Sequence, residues 1–301
     1  MKRRTFVKGT AGVTGGLTVA GCLGGSGGGD GTTEETTSES SGEGTTGEDT
    51  TTEGSASVEG PIVIGSDIPY PPFEFRKESG ELTGFDVDIA KALFEEEMGL
   101  GYEFQQTGFD TIIGSLKNDN FRIIMSAMTI NDERAEEVDF SDPYFTAYQT
   151  VAILKNGNVS KLEDLKGETV AVQKGTTGEG AAEELKKEFG GDLTLDSYDQ
   201  ITGAFNALLN NQASAVINDN TVNAKYVNEQ DGVVFLEGEG EAAEKGKNAP
   251  PYLTLTVEEY GIAFRQDDDD FRKQVNEALA AIKDSGRYDE IYAEYFESSG
   301  N

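Results

Sequence analysis

The chain has 301 residues, 56 of them Asp or Glu against 24 Lys or Arg, for a formal charge of −32. So acidic a chain repels nucleic acid and anionic lipid, and acids spread over its whole length point to a halophilic protein, whose self-repulsion high salt would screen. One cysteine and no histidine exclude, within this chain, a disulfide framework, a Cys/His zinc site and any catalytic dyad or triad that uses histidine.

Residues 1–22 read as an address rather than a fold. Lys2-Arg3-Arg4-Thr5-Phe6-Val7-Lys8 carries twin arginines, and the weakly apolar run from Gly9 to Ala20 is too short and glycine-rich for a membrane span. It resembles a twin-arginine export signal. Leu17-Thr18-Val19-Ala20-Gly21-Cys22 looks like a lipobox, in which Cys22 would be lipidated and become the mature first residue; the other reading of Cys22 is a free thiol in a discarded leader. Loss of Lys2, Arg3, Arg4 and Lys8 with the leader would leave 20 basic residues against 56 acidic, a charge of −36. Residues 23–57 are Gly, Thr, Ser, Glu and Asp with almost nothing apolar, so they cannot bury enough surface to offset the entropy of ordering. A disordered tether of about 35 such residues would reach roughly 30–35 Å.

From residue 61 strands and helices alternate. Pro61 to Ile64 predicts a strand that ends at Ser66-Asp67, followed by a proline-stiffened turn carrying Tyr70, Phe73 and Phe75. Phe73 and Phe75 are expected in the core, whereas Tyr70, just past a strand end, is a candidate for stacking on a ligand. Gly84 opens a helix to Met98, with Gly99 as its stop. Tyr102 to Gln105 predicts a strand, Asp110 to Lys117 a helix with Phe109 before it, and Phe121 to Met125 a buried strand. That strand leads into Ser126-Ala127-Met128-Thr129-Ile130-Asn131-Asp132-Glu133-Arg134. Hydroxyls at Ser126 and Thr129, a small Ala127 and the planar fork of Arg134 suit the grip of a carboxylate; a surface arginine paired with Glu133 or Glu137 is the alternative.

Thr150 to Leu154 is an extended run able to carry the chain into a second set of strands and helices. There Thr169 to Val172 leads through Gln173-Lys174-Gly175-Thr176-Thr177-Gly178 into a helix to about Phe189. A glycine-threonine turn at a helix start either offers amides to an anion or serves as an ordinary N-cap, and it lacks the spacing of a phosphate loop. Ile201 to Asn211 predicts a helix, and Ala215 to Ile217 a strand ending at Asn218-Asp219, where Asp219 either meets an amine or caps the next helix. Tyr260 to Phe264 is a last strand. Asp267 to Asp270 lack the alternate spacing of a calcium loop and suit a helix N-terminus instead. Phe271, Val275, Leu279 and Ile282 stripe that helix up to Gly286, and Arg287 to Phe296 predicts a final amphipathic helix.

Asp67 with Tyr70-Pro71-Pro72-Phe73-Glu74-Phe75, Gly84-Phe85-Asp86-Val87-Asp88, Met128 to Arg134, Asp139-Phe140-Ser141-Asp142-Pro143-Tyr144, the Gln173 to Thr177 turn, Asn218-Asp219 and Tyr260 to Phe264 together resemble the polar amino acid-binding proteins. These are the family 3 extracellular solute-binding proteins of ABC importers. The resemblance spans about residues 61–297 and implies an α/β, two-lobed periplasmic-binding-protein-like fold of type II, with two crossover strands as hinge. It would place residues 61–149 plus 259–301 in lobe 1 and 150–258 in lobe 2. It implies that Arg134 holds the ligand α-carboxylate, helped by Thr129, Thr176 and Thr177, and that Asp219 pairs with the α-ammonium. Ser126 would bond that ammonium through backbone or hydroxyl beside Ala127. Tyr70 and Phe109 would sandwich the ligand side chain, Gln173 would reach in from lobe 2, and Asp67 would meet the polar end of the side chain.

The implied function is a lipid-anchored monomer outside the cell that closes on a polar or basic L-amino acid and delivers it to an ABC permease, with no cofactor, metal or catalytic residue. The alternatives are a dehydratase-like enzyme on the same fold, with a carboxylate acid such as Glu179 or Asp219, and an amino acid-sensing surface protein without a permease. Three features depart from the family pattern. Arg122 replaces a usual aspartate, Gln173 and Asn218 are neutral where some members are charged or ionisable, and the Glu237–Pro251 segment is longer than usual.

Overall fold

Residues 60–245 and 250–297 are described in the computed structural model, so the expected export signal, Cys22 and the tether lie outside the described residues. The first apolar run forms β1 (Ile62–Ser66), and a small hairpin of β2 (Phe75–Arg76) and β3 (Leu82–Thr83) leads to α1 (Phe85–Ala90). At Gly84 φ is 135°, and a β-carbon there would lie 2.0 Å from the Phe73 carbonyl oxygen; only glycine lets the Tyr70–Glu74 turn sit on the helix start. The helix expected to run uniformly to Met98 continues past Ala90 as a wider π-type turn, Lys91–Glu97, before Gly99 stops it at φ 66°.

Next come β4 (Tyr102–Gln106), a 3₁₀ turn at Phe109–Thr111, α2 (Ile112–Lys117), β5 (Ile123–Ile124), α3 (Asp132–Ala135) and β6 (Asp139–Phe140). β5 is shorter than the expected run from Phe121 to Met125. The Phe121 ring lies against Gly65, where a β-carbon would come within 2.3 Å of it, so the start of the run is spent on packing rather than pairing.

The crossover strand β7 (Phe145–Leu154) begins five residues before Thr150, where the extended run was expected. Its partner β12 (Thr254–Tyr260) lies antiparallel to it, with Phe145 opposite Tyr260 and Thr150 opposite Thr254. Between them come β8 (Thr169–Gln173), α4 (Thr177–Glu188), β9 (Thr194–Tyr198), α5 (Ile201–Leu209), β10 (Ala215–Asp219), α6 (Asn220–Glu229), β11 (Val233–Phe235) and α7 (Glu241–Glu244). The chain ends with β13 (Ala263–Phe264), α8 (Asp269–Asp284) and α9 (Arg287–Tyr292), the last running on into a wider turn, Ala293–Glu297.

One sheet has the order β4-β1-β5-β13-β6, the other β11-β7-β10-β8-β9 with β12 beside β7. In the first, β1 pairs in parallel with β4 and β5; in the second, β8 pairs in parallel with β9 and β10. The two sheets are the cores of two lobes, and β7 is rooted in both. Its Phe145 ring packs against Phe73, Phe85, Tyr260 and Phe296, while Val151 and Ile153 join Leu165, Val170, Val172 and Leu185. The apolar stripe of α8 is buried as its spacing predicts. Phe75, expected in the core, is only half-buried, with the Lys225 ammonium 5.8 Å from its ring centre.

Arg122, without explanation in the sequence, forms a two-pronged ion pair with Asp268 at 2.8 and 3.0 Å. Its guanidinium also lies 3.6 Å over the Phe271 ring. It fastens the start of α8 to the edge of β5. Asp269 and Asp270 stand in the first turn of α8, where the helix dipole favours negative charge. No helix among the described residues is long and apolar enough to cross a membrane.

Candidate functional site

Arg134 is turned inward by its own short helix. Asn131 caps α3, its Oδ1 accepting from the Arg134 amide at 2.8 Å, and the side chain that follows is only 8% exposed. Nη1 donates to the Thr129 carbonyl at 2.7 Å and Nη2 to the Gly175 carbonyl at 3.1 Å, across from the other lobe. The guanidinium lies 5.2 Å from the Phe109 ring centre. Pairing with Glu133 or Glu137 on the surface is thereby ruled out. Burial lowers the arginine pKa, but the charges of Glu258 and Asp219 oppose that shift, and a guanidinium so placed remains a cation.

Arg134 borders a narrow cavity whose other walls are Tyr70, Phe109, Ser126, Ala127, Thr129, Gln173, Thr176, Thr177 and Asp219. Every expected ligand contact except Asp67 therefore meets there, and β5, β8 and β10 deliver several of them from their carboxyl ends, as parallel α/β sheets do. Ala127 holds φ at 44°, a left-handed value uncommon without glycine, and its amide donates to Asp86 Oδ2 at 2.8 Å.

Asp219 faces Arg134 from the other lobe. The Tyr70 hydroxyl donates to its Oδ2, with Asn218 Oδ1 also 3.0 Å from that hydroxyl, and Gln149 Nε2 donates to its Oδ1 at 2.6 Å. Burial and the nearby Glu258 charge push the Asp219 carboxyl up to about 7, against the pull of the Tyr70 hydrogen bond and the charge of Arg134. A cation placed beside it would complete a buried ion pair.

Several expected contacts take different roles, Thr129 and Thr177 among them, since both hydroxyls donate to Glu258 Oε2, at 2.6 and 2.8 Å. Asp67 does not line the cavity: its carboxylate accepts from Gln173 Nε2, and burial raises its pKa to about 6. The Ser126 hydroxyl donates to Glu74 Oε1 at 2.8 Å and accepts from the Asp67 amide at 2.9 Å, so it has no proton to offer a ligand. Tyr70 does more than offer a ring, because its hydroxyl reaches into the second lobe. Thr176 is the N-cap of α4, accepting from the Glu179 amide at 3.2 Å, with Gly175 at φ 73° making the turn. Gln173 lines the cavity, and its buried Oε1 has no hydrogen-bond partner.

Residue reasoning missed Gln149 and Glu258, both on the crossover strands, and Glu74 and Asp86 beneath the cavity floor. Glu74 is fully buried and pushed well above the usual carboxyl range by burial and by Asp86, which burial itself raises to about 6. The signal for Glu258 was present in the alternation of β12, where Glu258 and Tyr260 face inward and Glu259 outward.

An arginine fork and a buried carboxylate that line one small cavity, contributed by two lobes, are the binding elements of a two-lobed solute-binding protein. Residues 62–298 match the model of the bacterial extracellular solute-binding proteins, family 3, and the chain belongs to that family. It is 33% identical over 239 residues to a probable histidine-binding protein of Neisseria gonorrhoeae, covering 79% of this chain and 83% of that one. It is 30% identical over 248 residues to an arginine-binding extracellular protein of Bacillus subtilis, covering 82% and 90%. Among solved structures, an ancestral arginine-binding protein bound to arginine superimposes with a TM-score of 0.68 at 35% identity, covering 79% of this chain and 98% of that one.

Proposed function

We propose that this protein is the extracellular binding component of an ABC amino acid importer, and that its ligand is a polar or basic L-amino acid. The observation that carries the reading is the opposition of Arg134 and Asp219 across one cavity, from different lobes. An α-carboxylate on Arg134 and an α-ammonium on Asp219 would be satisfied together only in the closed form, so ligand and closure favour each other. Phe109 and Tyr70 would flank the ligand side chain, and the open Oε1 of Gln173 favours a side chain that donates hydrogen bonds. Relatives named for histidine and arginine agree with that preference.

The reading extends to residues outside the described part. Lipidation at Cys22 and a polar tether would hold the monomeric body near the membrane, within reach of a permease, and the acidic composition would suit molar salt. The test is a thermal-shift screen of residues 58–301 in molar potassium chloride against the twenty amino acids. A ligand at about 100 times its dissociation constant adds about 2.7 kcal/mol of stability. One or a few polar amino acids raising the melting point is the expected result; silence from all twenty in a folded sample overturns the reading.

A further inference from the structure

Glu258 is a buried carboxylate on β12 that no expected ligand contact explains. Its Oε2 accepts from the Thr129 hydroxyl at 2.6 Å and from the Thr177 hydroxyl at 2.8 Å. The first belongs to lobe 1 and the second opens α4 of lobe 2, so one carboxylate oxygen ties the two lobes together. Gln149, on the paired crossover strand β7, reaches the same point: its Nε2 lies 3.3 Å from Glu258 Oε2, 3.2 Å from Thr177 Oγ1 and 2.6 Å from Asp219 Oδ1. The other Glu258 oxygen accepts from Thr256 Oγ1 at 3.0 Å, which fixes the carboxylate on its own strand.

From these contacts we infer that Glu258 and Gln149 form a clasp, built on the hinge strands, that stabilises lobe closure through the protein's own hydrogen bonds and positions Asp219 and Thr177 for the ligand. Three features support it. The bridging bonds are charge-assisted and buried, the class with the largest net contribution. They arise at the hinge itself, where little movement is needed to make or break them. They also spend the protons of the Thr129 and Thr177 hydroxyls on Glu258, leaving a ligand carboxylate to Arg134 and to the free amides at the start of α4. Closure then has a part that no ligand atom contributes, and the binding-competent state is populated in advance. The inference goes beyond the proposed function, because it concerns the hinge and not the identity of the solute.

The test follows the distance between spin labels on the two lobes, at Asn118→Cys and Glu183→Cys, in the full chain with Cys22→Ser. Both labelled positions are exposed, one at the end of α2 and the other on α4. After removal of bound solute, the parent should show a closed, short-distance population. Glu258→Gln, which keeps the side-chain shape but removes the charge, should lower the closed-to-open ratio by about tenfold. Thr177→Val should do the same, while Thr177→Ser should keep the short distance. Only the hydroxyl bridge predicts that serine rescues and valine does not, so the threonine pair remains informative even if Glu258→Gln folds poorly. An unchanged distance distribution in Glu258→Gln or in Thr177→Val, or a parent with no closed population, would overturn the clasp. None of these outcomes depends on which amino acid binds.

Discussion

Ligand binding should weaken in acid because of Asp219. Its carboxyl is held up to about 7 by burial and by Glu258, and an α-ammonium is recognised only by its ionised form. Above pH 7 the carboxylate is already ionised and affinity should be flat. Below it the ligand must displace a proton, and affinity should fall towards tenfold per pH unit. At about pH 5.5 roughly 3% of the group is ionised, so binding should be about 30-fold weaker than at pH 8.5. Isothermal titration in buffers of different ionisation enthalpy measures both quantities, the affinity and the protons released, which should approach one below about pH 6. Asp219→Asn should bind weakly at every pH and lose the slope. A parent whose affinity is level from about pH 5.5 to 8.5, with no proton release, would refute the pairing of Asp219 with the ligand ammonium.

Arg134→Ala should cost about 2–5 kcal/mol of binding by leaving the ligand carboxylate partly unpaired, measured by titration at pH 8. Arg122→Ala breaks the Asp268 pair and the Phe271 contact; it should lower unfolding free energy by about 1–2 kcal/mol in denaturant titrations while leaving affinity unchanged. The fold should be more stable in mild acid than at neutral pH. Asp67 and Asp86 at about 6 and Asp219 at about 7 all lie above their ordinary values. The stability they contribute is therefore present below about pH 4 and lost as pH rises through 6 to 7. Denaturant midpoints in molar salt, with bound solute removed, should follow that trend; a rise in stability over the same range would contradict it.

The strands and helices that build the cavity are legible because their signals are local. Apolar runs mark β1, β5, β8 and β10, and a polar residue closes each strand or, at Ser126, follows shortly after it; glycines mark the ends of helices. Arg134 and Asp219 could be singled out because each follows such a run. The crossover was harder to see: the first half of β7 mixes Thr146, Tyr148 and Gln149 with Phe145 and Ala147, since it serves two cores and a hinge. What the sequence conceals is who bonds to whom across long separations. Asp67 looks like a ligand contact from its place after β1, yet Gln173, 106 positions away, takes its carboxylate. Glu258 looks like one more acid in an acidic chain until Thr129 and Thr177 are brought to either side of it. Arg122 likewise acquires a purpose only when α8 returns to β5.

The measurement to make is an isothermal titration of residues 58–301, in molar salt near pH 8, with the best amino acid from the thermal screen and with its N-acetyl and methyl ester derivatives. A clamp of Arg134 on the carboxylate and Asp219 on the ammonium predicts one-to-one binding of the free amino acid, with each blocked derivative at least about 100-fold weaker. Blocked derivatives that bind as tightly as the free amino acid would contradict it.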